Sequence, residues 1–351
     1  MLFHIHTFDV TRAFERQWPD LPYLLAFEWG RGGVAVFFVL SGFVIAHSLE
    51  NKRIDLRGFT QFFVRRSLRL DPPYLVSIAL MLGVLAVVSA DGDPMPDISA
   101  ATIAAHVFYL QELLRETPIS PIYWTLTYEI QFYLVYALAV GLQQRFASRG
   151  ASRLGASAVE YVMLGLALPG AAFGTEWSLH GLFTNYWFAF YMGVLAKRAC
   201  RERRAIAWLL VMAVLTLLSA AGEPEVFNTP AALTAIALMA LNLRNLLDIR
   251  RAPALLMLLG TISYSLYLTH YPMLRLSLPP ADYLASQFGA AGTLVALAFQ
   301  LALTFVAAYV FWLVVERPSQ RFSRRFAVDR NGAAAGLGQR GAQAPPGGGA
   351  G

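Results

Sequence analysis

Three ionisable side chains interrupt apolar stretches of this 351-residue sequence: His4, Glu129 and His270. An ionisable group inside a membrane-spanning helix costs about 3 kcal/mol on insertion scales, so each of the three is a candidate functional residue. If the stretches cross a membrane, each residue lies about five or six positions from the same edge, which is roughly 8 to 9 Å at the helical rise. This common depth predicts that the three side chains line one cavity suited to acid–base chemistry.

Each of the three residues also has a structural interpretation. A helix-packing or hydrogen-bonding role is the alternative for His4 and His270, and Glu129 is equally a candidate partner for an arginine such as Arg31. No metal-ligand spacing accompanies these groups, so no metal site is predicted. Three further histidines, near a span end or in outer loops, are interpreted as interfacial: His47, His106 and His180.

A dense basic segment runs from Arg65 to Arg69 and stands just before a long apolar run. Arg66 and Arg69 are three residues apart, so a helix would place both guanidinium groups on one face, in an arrangement suited to bidentate capture of phosphate. The competing interpretation is a positively charged anchor for anionic lipid headgroups. Composition alone favours the anchor.

Long apolar runs carry most of these residues. Hydrophobic residues make up 57% of the chain and charged residues 14%, against roughly 25% charged in soluble domains. Most runs reach the roughly 17 to 25 residues that a membrane-spanning helix needs, and two are short. The runs are 33–49, 73–90, 123–142, 158–173, 182–196, 205–221, 230–247, 254–275 and 291–315. The sequence therefore predicts an all-α, polytopic membrane helix bundle.

The charges between the runs alternate in sign bias along the chain. Five alternate connections hold most of the 28 Lys and Arg residues: 50–72, 143–157, 197–204, 244–253 and 316–325. By the positive-inside rule these connections are cytoplasmic, as is the C-terminus, and the intervening ones face outward. The formal charge of +6 therefore reflects membrane orientation and does not indicate a nucleic-acid partner.

The two ends of the chain depart from this regular pattern. Residues 9–32 are predicted outside, yet only eight residues precede them, and eight helical residues cover about 12 Å of a hydrocarbon core of about 30 Å. We expect an incomplete first helix and, in a complete protein, ten helices with both ends cytoplasmic. We divide the chain into a membrane domain, 1–325, and a Gly/Ala/Pro-rich cytoplasmic tail, 326–351, predicted to be disordered.

Short motifs narrow the possible chemistry. The segment from His4 to Asp9 matches an HxxxxD acyltransferase pattern, but two fixed positions are weak evidence, and a five-residue separation puts the side chains on different helix faces. The sequence has no GxSxG, GxxxxGK or HExxH motif, which removes the common hydrolase, nucleotidase and metalloprotease signatures. Cys200 is the single cysteine, so disulfides and cysteine metal sites are excluded.

Five segments, in order along the chain, resemble the membrane-bound acyltransferase 3 family. The segment 123–134, YWTLTYEIQFYL, is similar to the WxLxxExxFY signature of that family. The other four are 33–43 (GVAVFFVLSGF), 63–70 (FVRRSLRL) leading into Pro73-Tyr74, 263–272 (SYSLYLTHYP) and 315–318 (VERP). The resemblance covers about residues 1–320.

The resemblance implies ten transmembrane helices in the cytoplasmic (inner) membrane of a bacterium. It also implies transfer of an acyl group, commonly acetyl, from cytoplasmic acyl-CoA to a hydroxyl of a cell-surface or lipid-linked sugar, with acyl-CoA as co-substrate and no bound cofactor. The family's catalytic histidine closes the first helix in a pattern resembling Leu2-Phe3-His4, and an arginine precedes it by ten intervening residues. That arginine would fall before Met1.

Depth and resemblance together suggest one scheme. Arg66 and Arg69, with Arg65, would hold the CoA phosphates, and His4 would act as general base or carry the acyl group briefly, oriented by Glu129. Four residues are predicted to shape the acceptor site, because aromatic faces pack on sugar rings: Trp124, Tyr128, Tyr133 and His270. An interfacial role is equally open for the three aromatic residues.

Two other classes of protein also need many helices and buried charge. A transporter or glycan flippase often shows inverted repeats and paired broken helices, and no internal repeat is visible here. A non-catalytic membrane scaffold is the third possibility, favoured if the short start is genuine.

Overall fold

A computed structural model of the chain describes residues 4, 29–90, 96–148, 153–174, 180–220, 226–248 and 252–325. Apart from His4, the predicted incomplete first helix lies outside the described residues, as does Asp9 of the HxxxxD pattern. The predicted tail, 326–351, lies outside them too.

Each of the nine apolar runs falls mainly on helix. Within the described residues the chain has twelve α-helices: α1 (Gly33–Leu49), α2 (Leu56–Ala90), α3 (Ala100–Val107), α4 (Gln111–Leu114), α5 (Trp124–Ser148), α6 (Arg153–Phe173), α7 (Trp187–Arg198), α8 (Arg203–Ser219), α9 (Asn228–Leu243), α10 (Ala254–Leu276), α11 (Leu278–Phe311) and α12 (Arg317–Arg324). Short 3-10 turns at Trp29–Gly32 and Phe183–Asn185 precede α1 and α7, and a π-helical turn, Trp312–Glu316, joins α11 to α12. The prediction of an all-α bundle is confirmed.

Four helical stretches of the described chain are long and apolar enough to cross a membrane. They are Gly30–Leu49, Leu56–Ala90, Trp124–Ala147 and Ala291–Arg324. Large apolar side chains stand exposed on the outer faces of the bundle, including Val44, Leu138, Val214, Leu255 and Val306. Exposed apolar surface on this scale fits contact with lipid. The chain is a multi-pass membrane protein.

Helix α2 contains both the basic segment and the apolar run that follows it. Its 35 residues extend over roughly 52 Å, well beyond a hydrocarbon core of about 30 Å. The basic segment, 65–69, lies in its first half and the apolar run in its second half, with Pro72 and Pro73 between them. Proline has no N–H, so the carbonyls one turn earlier, on Leu68 and Arg69, lose their helical donors.

Two glycines let α1 and α7 pack backbone against backbone. A Cβ atom on Gly42 would lie 1.9 Å from the Phe190 carbonyl oxygen, and one on Gly193 would lie 1.9 Å from the Val39 carbonyl oxygen. Small residues at such crossings are typical of membrane helix pairs. Every residue of α7 from 187 to 196 is buried, so this short helix forms the centre of the bundle.

The segment after α2 forms a small polar lobe around α3 and α4. Ser99 caps α3 by accepting a 3.0 Å hydrogen bond from the Thr102 backbone N–H. His106 is completely buried, with Nδ1 2.8 Å from the Thr102 carbonyl oxygen, and its Nε2 accepts a 3.2 Å hydrogen bond from the Ile119 N–H. The interfacial interpretation of His106 is therefore wrong. Loop residues that fold back over α3 remove this side chain from solvent.

Candidate active site

A cavity of about 320 Å³ brings His4 and His270 together. Their ring centroids are 5.4 Å apart and the ring planes are inclined by 40°, while Tyr271 meets the His4 ring edge-on at 5.4 Å. The walls come from the turn before α1, from α1 itself, from the start of α5 and from α10. Two of the three residues predicted to share a cavity therefore do so.

The imidazole of His270 has one engaged nitrogen and one without a partner. Its Nδ1 lies 2.7 Å from the Tyr267 carbonyl oxygen and 3.2 Å from the Leu266 carbonyl oxygen. A carbonyl only accepts, so Nδ1 carries the proton and Nε2 keeps a lone pair. That Nε2 is buried and has no hydrogen-bond partner within the described chain. It can accept a proton or the hydrogen of a hydroxyl group.

One wall of the cavity is aromatic, and its single hydroxyl is already engaged. Phe37 lies nearly parallel to Tyr267, with ring centroids 6.0 Å apart and planes inclined by 7°. The Tyr267 hydroxyl is hydrogen-bonded to the Thr125 hydroxyl and to the Ile122 carbonyl oxygen. Trp124 completes this side of the cavity. These flat apolar faces are suited to packing against a sugar ring or an acyl group.

Glu129 does not line this cavity but belongs to a buried polar network. Its Oε1 accepts a 2.6 Å hydrogen bond from the Ser41 hydroxyl and a second one from the Tyr133 hydroxyl. Arg66 Nη2 lies 3.7 Å from the same oxygen and also donates to the Tyr133 hydroxyl. The Arg66 guanidinium carbon stands 3.8 Å from the centre of the Tyr133 ring. The partner of Glu129 is thus an arginine of α2.

The prediction that Glu129 lines the cavity of His4 and His270 is therefore wrong, and Arg66 lines neither cavity. Thr125, Glu129 and Tyr133 follow one another at four-residue spacing on one face of α5, so each lies about 6 Å further along the helix. Thr125 reaches the histidine cavity, Glu129 lies one turn deeper, and Tyr133 lies one turn beyond that. A buried arginine is tolerated only when it is paired, and Arg66 therefore reaches inward to Glu129.

A second, larger cavity of about 610 Å³ lies at the basic end of the bundle. Four arginines line it, one from α2 and three from α12: Arg69, Arg317, Arg321 and Arg324. One carboxylate, Glu316, also lines it, but this group already accepts hydrogen bonds from the Ser265 backbone N–H and from the Gln320 side chain. With four guanidinium groups against this one carboxylate, the cavity is positive.

The two cavities share a wall. Ser263 and Tyr264 of α10 line both of them. The Tyr264 hydroxyl donates a 3.0 Å hydrogen bond to the Leu70 carbonyl oxygen, beside the two prolines of α2. A positive cavity and a histidine cavity thus lie back to back, with one tyrosine between them.

Other predicted site residues lie elsewhere. Trp124 and His270 line the histidine cavity as expected for an acceptor site, whereas the Tyr128 ring packs against Tyr186 at 4.9 Å and Tyr133 is held in the polar network. Arg65 lines neither cavity. No group of three His, Cys, Asp or Glu side chains in the described ranges is placed to hold a metal ion.

Comparison with known protein families assigns this chain to one of them. A model of an acyltransferase domain, that of the acyltransferase 3 family, matches residues 1–315. The chain belongs to the acyltransferase 3 family. The resemblance of the five sequence segments to this family is confirmed.

Three proteins with sequence similarity to this chain differ in identity and coverage. Peptidoglycan O-acetyltransferase OatA of Listeria monocytogenes is 24% identical over 349 residues, which cover 86% of this chain and 53% of that protein. O-acetyltransferase OatA of Staphylococcus aureus is 26% identical over 295 residues, 72% of this chain and 48% of that protein. Nodulation protein 10 of Rhizobium leguminosarum bv. viciae is 32% identical over 136 residues, 34% of this chain and 35% of that protein.

The chain spans about half the length of the OatA relatives and about a third of the nodulation protein. No solved structure is similar to it.

The sequence interpretation does not single out several residues of the two cavities and of the polar network. Ser41 and Tyr267 lie inside family-like segments but carry no charge, so nothing marked them as partners of Glu129 or as cavity walls. In the sequence interpretation, the arginines of α12 serve only as orientation signals. Their spacing of four and three residues, which places them on one helix face, was the signal that could have identified them.

Proposed function

We propose that this acyltransferase 3 chain transfers an acetyl group from cytoplasmic acyl-CoA to a hydroxyl of a cell-surface or lipid-linked sugar. The observation that carries the proposal is the pair of cavities back to back: a positive one lined by four arginines and one that contains two histidines. The positive-inside rule supports placing the arginine cavity on the cytoplasmic side of the inner membrane, with the C-terminus on that same side.

The charge of the donor supports its assignment to the positive cavity. The CoA moiety carries several phosphate negative charges, which arginine binds with charge-assisted hydrogen bonds. Its acyl thioester stands at the end of a long, narrow arm. An arm that passes beside Tyr264 would bring the thioester from the arginine cavity into the histidine cavity.

The chemistry in the histidine cavity is a direct acyl transfer. A neutral imidazole, that of His4 in this scheme, takes the proton of the acceptor hydroxyl while the oxygen attacks the thioester carbonyl. The new C–O bond forms, the C–S bond breaks, and the imidazolium returns its proton to the departing thiolate. The products are the O-acyl sugar and CoA thiol. Brief acylation of His4 itself is the two-step variant of the same reaction.

His270 has a positioning role in this scheme. Its unpartnered Nε2 can accept a hydrogen bond from the acceptor hydroxyl and hold it beside the His4 ring, 5.4 Å away. Holding reacting groups in place is worth several kcal/mol of barrier. The aromatic wall formed by Phe37, Trp124 and Tyr267 favours a sugar ring as the acceptor.

In this scheme Glu129 holds helices together and does not contact His4. Its network joins α1 through Ser41, α2 through Arg66 and α5 through Tyr133. These three helices supply or adjoin the walls of the histidine cavity. The ion pair therefore fixes the cavity walls from one turn below.

The OatA relatives support the choice of acceptor class. One of them is named as an O-acetyltransferase of peptidoglycan, a carbohydrate polymer of the cell surface. We propose the same general class here, a surface carbohydrate or its glycolipid precursor, with membrane lipids around the bundle and no nucleic acid.

Membranes that contain the protein and radiolabelled acetyl-CoA test this function directly. We expect label on extracted glycan with the unmodified protein and none with His4→Ala, whereas His47→Ala should transfer normally because His47 lies at the end of α1 away from the cavity. Equal labelling by the His4→Ala variant would refute the scheme. Absence of label with every version, alongside movement of unmodified glycan across the membrane, would favour the flippase alternative.

A further inference from the structure

Helix α12 presents a row of arginines to the positive cavity. Arg317, Arg321 and Arg324 stand at positions i, i+4 and i+7, which lie on one face of a helix. All three line the cavity, and Arg69 of α2 lines it too. At about 610 Å³ the cavity falls within the range of small-molecule sites in proteins, roughly 300 to 1,000 Å³.

The charge of this row is not balanced by the protein. Across the described chain, none of the four arginines forms an ion pair with a carboxylate. The carboxylate among the lining residues, Glu316, is 2% exposed and is held by Ser265 and Gln320. Four like charges around one cavity repel each other, and a ligand with several negative charges would relieve that repulsion.

The aromatic residue Trp312 stands beside the arginines in the lining of this cavity. The indole Nε1 of Trp312 is buried and has no hydrogen-bond partner in the part of the chain that the structure describes. Trp312 lines the cavity, and the Arg317 guanidinium lies over its ring at 5.4 Å. A buried N–H normally finds an acceptor. A nucleotide offers ring nitrogens and ribose oxygens besides its phosphates.

We propose that α12, together with Arg69, forms the binding site for the nucleotide end of the acyl donor, and that Arg321 and Arg324 bind its 3′-phosphate. This inference rests on the proposed function, in which CoA is the donor. Glu316 is joined to α10 beside the shared wall, so Arg321 and Arg324 stand about 8 and 12 Å further along the helix axis. Arg69 and Arg317 then face the diphosphate, nearer to Tyr264.

Dephospho-CoA, which lacks only the 3′-phosphate, is the probe that isolates this contact. The binding of CoA and of dephospho-CoA is measured by calorimetry on the purified full chain in phosphatidylcholine nanodiscs. We expect the unmodified protein to bind CoA about 10- to 100-fold more tightly than dephospho-CoA, since hydrogen bonds to charged groups are the strong ones. The Arg321→Gln/Arg324→Gln variant should lose most of that ratio and bind dephospho-CoA as before.

Arg325→Gln provides the matched control. Arg325 is the next residue in the chain, carries the same charge, and does not line the cavity. Its variant should keep the full ratio. A ratio near one in the unmodified protein, or a ratio that Arg325→Gln lowers as much as the double variant does, overturns the nucleotide site while leaving CoA as the donor.

Two further outcomes separate this inference from the proposed function and from a lipid site. If CoA is bound with the expected ratio but no acetyl transfer occurs, the nucleotide site stands and the transferase proposal fails; if CoA does not bind at all, both fail. An anionic headgroup is the other source of phosphate. If phosphatidylglycerol in the nanodiscs raises thermal stability through Arg321 and Arg324 and the CoA ratio is insensitive to them, the arginines hold lipid and the inference is overturned.

Discussion

Two buried histidines in different regions of the molecule hold Nδ1 in the same way but differ in the surroundings of Nε2. His106 in the polar lobe and His270 in the central bundle each hold Nδ1 against a backbone carbonyl of their own helix. The Nε2 of His106 accepts the Ile119 N–H, whereas the Nε2 of His270 has no partner among the described residues and lies in a cavity beside His4. The first imidazole is satisfied by the fold, and the second keeps an acceptor for a ligand.

The difference teaches how to distinguish a structural from a functional histidine when both are buried. Burial and residue type are the same in the two cases. An unsatisfied buried nitrogen costs stability, so its persistence next to a cavity is the informative feature. The arginines repeat the contrast, since Arg66 is paired with Glu129 and the row on α12 forms no ion pair with a described carboxylate.

The largest expected effect is on transfer in a His270→Phe variant, which keeps a ring but has no hydrogen-bond acceptor. Loss of the Nε2 acceptor should lower the acetyl-transfer rate about 10²- to 10⁴-fold, as expected for a group that positions the proton in transfer. CoA affinity should stay the same, because His270 lies beyond the shared wall from the arginines. Single-turnover transfer and calorimetry on the same preparation measure the two quantities. A variant with normal transfer would make His270 a structural residue like His106.

The next effect concerns the ion pair between Arg66 and Glu129. Glu129→Gln leaves the Arg66 charge buried without its partner and should lower stability by about 3 to 5 kcal/mol, whereas the double variant Arg66→Met/Glu129→Leu should recover most of this loss. Thermal unfolding in detergent measures both.

The same pair also tests the role of Glu129 in transfer. If the double variant is as stable as the unmodified protein but has lost transfer completely, Glu129 acts on the chemistry and not only on the cavity walls. That result would restore the sequence-based role of Glu129 beside His4.

A smaller effect is expected at the satisfied histidine. His106→Ala leaves the buried Ile119 N–H without an acceptor and should lower stability by about 1 to 3 kcal/mol. Transfer per folded molecule should not change, since His106 lies outside both cavities. Unfolding midpoints measure the stability, and transfer rates are divided by the amount of folded protein. A lower transfer rate per folded molecule would contradict the structural role assigned to His106.

The smallest effect is a dependence of stability on pH. Burial lowers the pKa of His106 below its usual value, partly offset by the Thr102 carbonyl and by Glu116. Below pH of about 6.5 the unfolded chain binds a proton that the folded lobe does not, so stability falls as pH decreases, by at most about 1.4 kcal/mol per pH unit. Above that pH the contribution is fully present. Thermal midpoints at both sides of it, in the unmodified protein and in His106→Gln, measure the slope that this residue contributes.

Local sequence patterns predict the helices and part of the candidate site. The apolar runs predict the helices because a membrane leaves a chain few other ways to satisfy its backbone hydrogen bonds. Depth counting from the ends of those runs brought His4 and His270 together, since both stand near the same end of their runs. The five segments identified the family. Composition could not distinguish Arg66 from Arg69, although one forms an ion pair in the bundle and the other lines a cavity.

The sequence by itself determined the helices, the membrane-protein class and the family of this chain, because hydrophobic length and charge are properties of single segments. Only the tertiary structure decided which groups meet. It pairs Glu129 with Arg66, places the α12 arginines around one cavity, and leaves His270 Nε2 without a partner among the described residues. The physical reason is that counting along a helix gives depth but not the rotation and tilt of its neighbours. Those are fixed by contacts such as the crossing of Gly42 and Gly193.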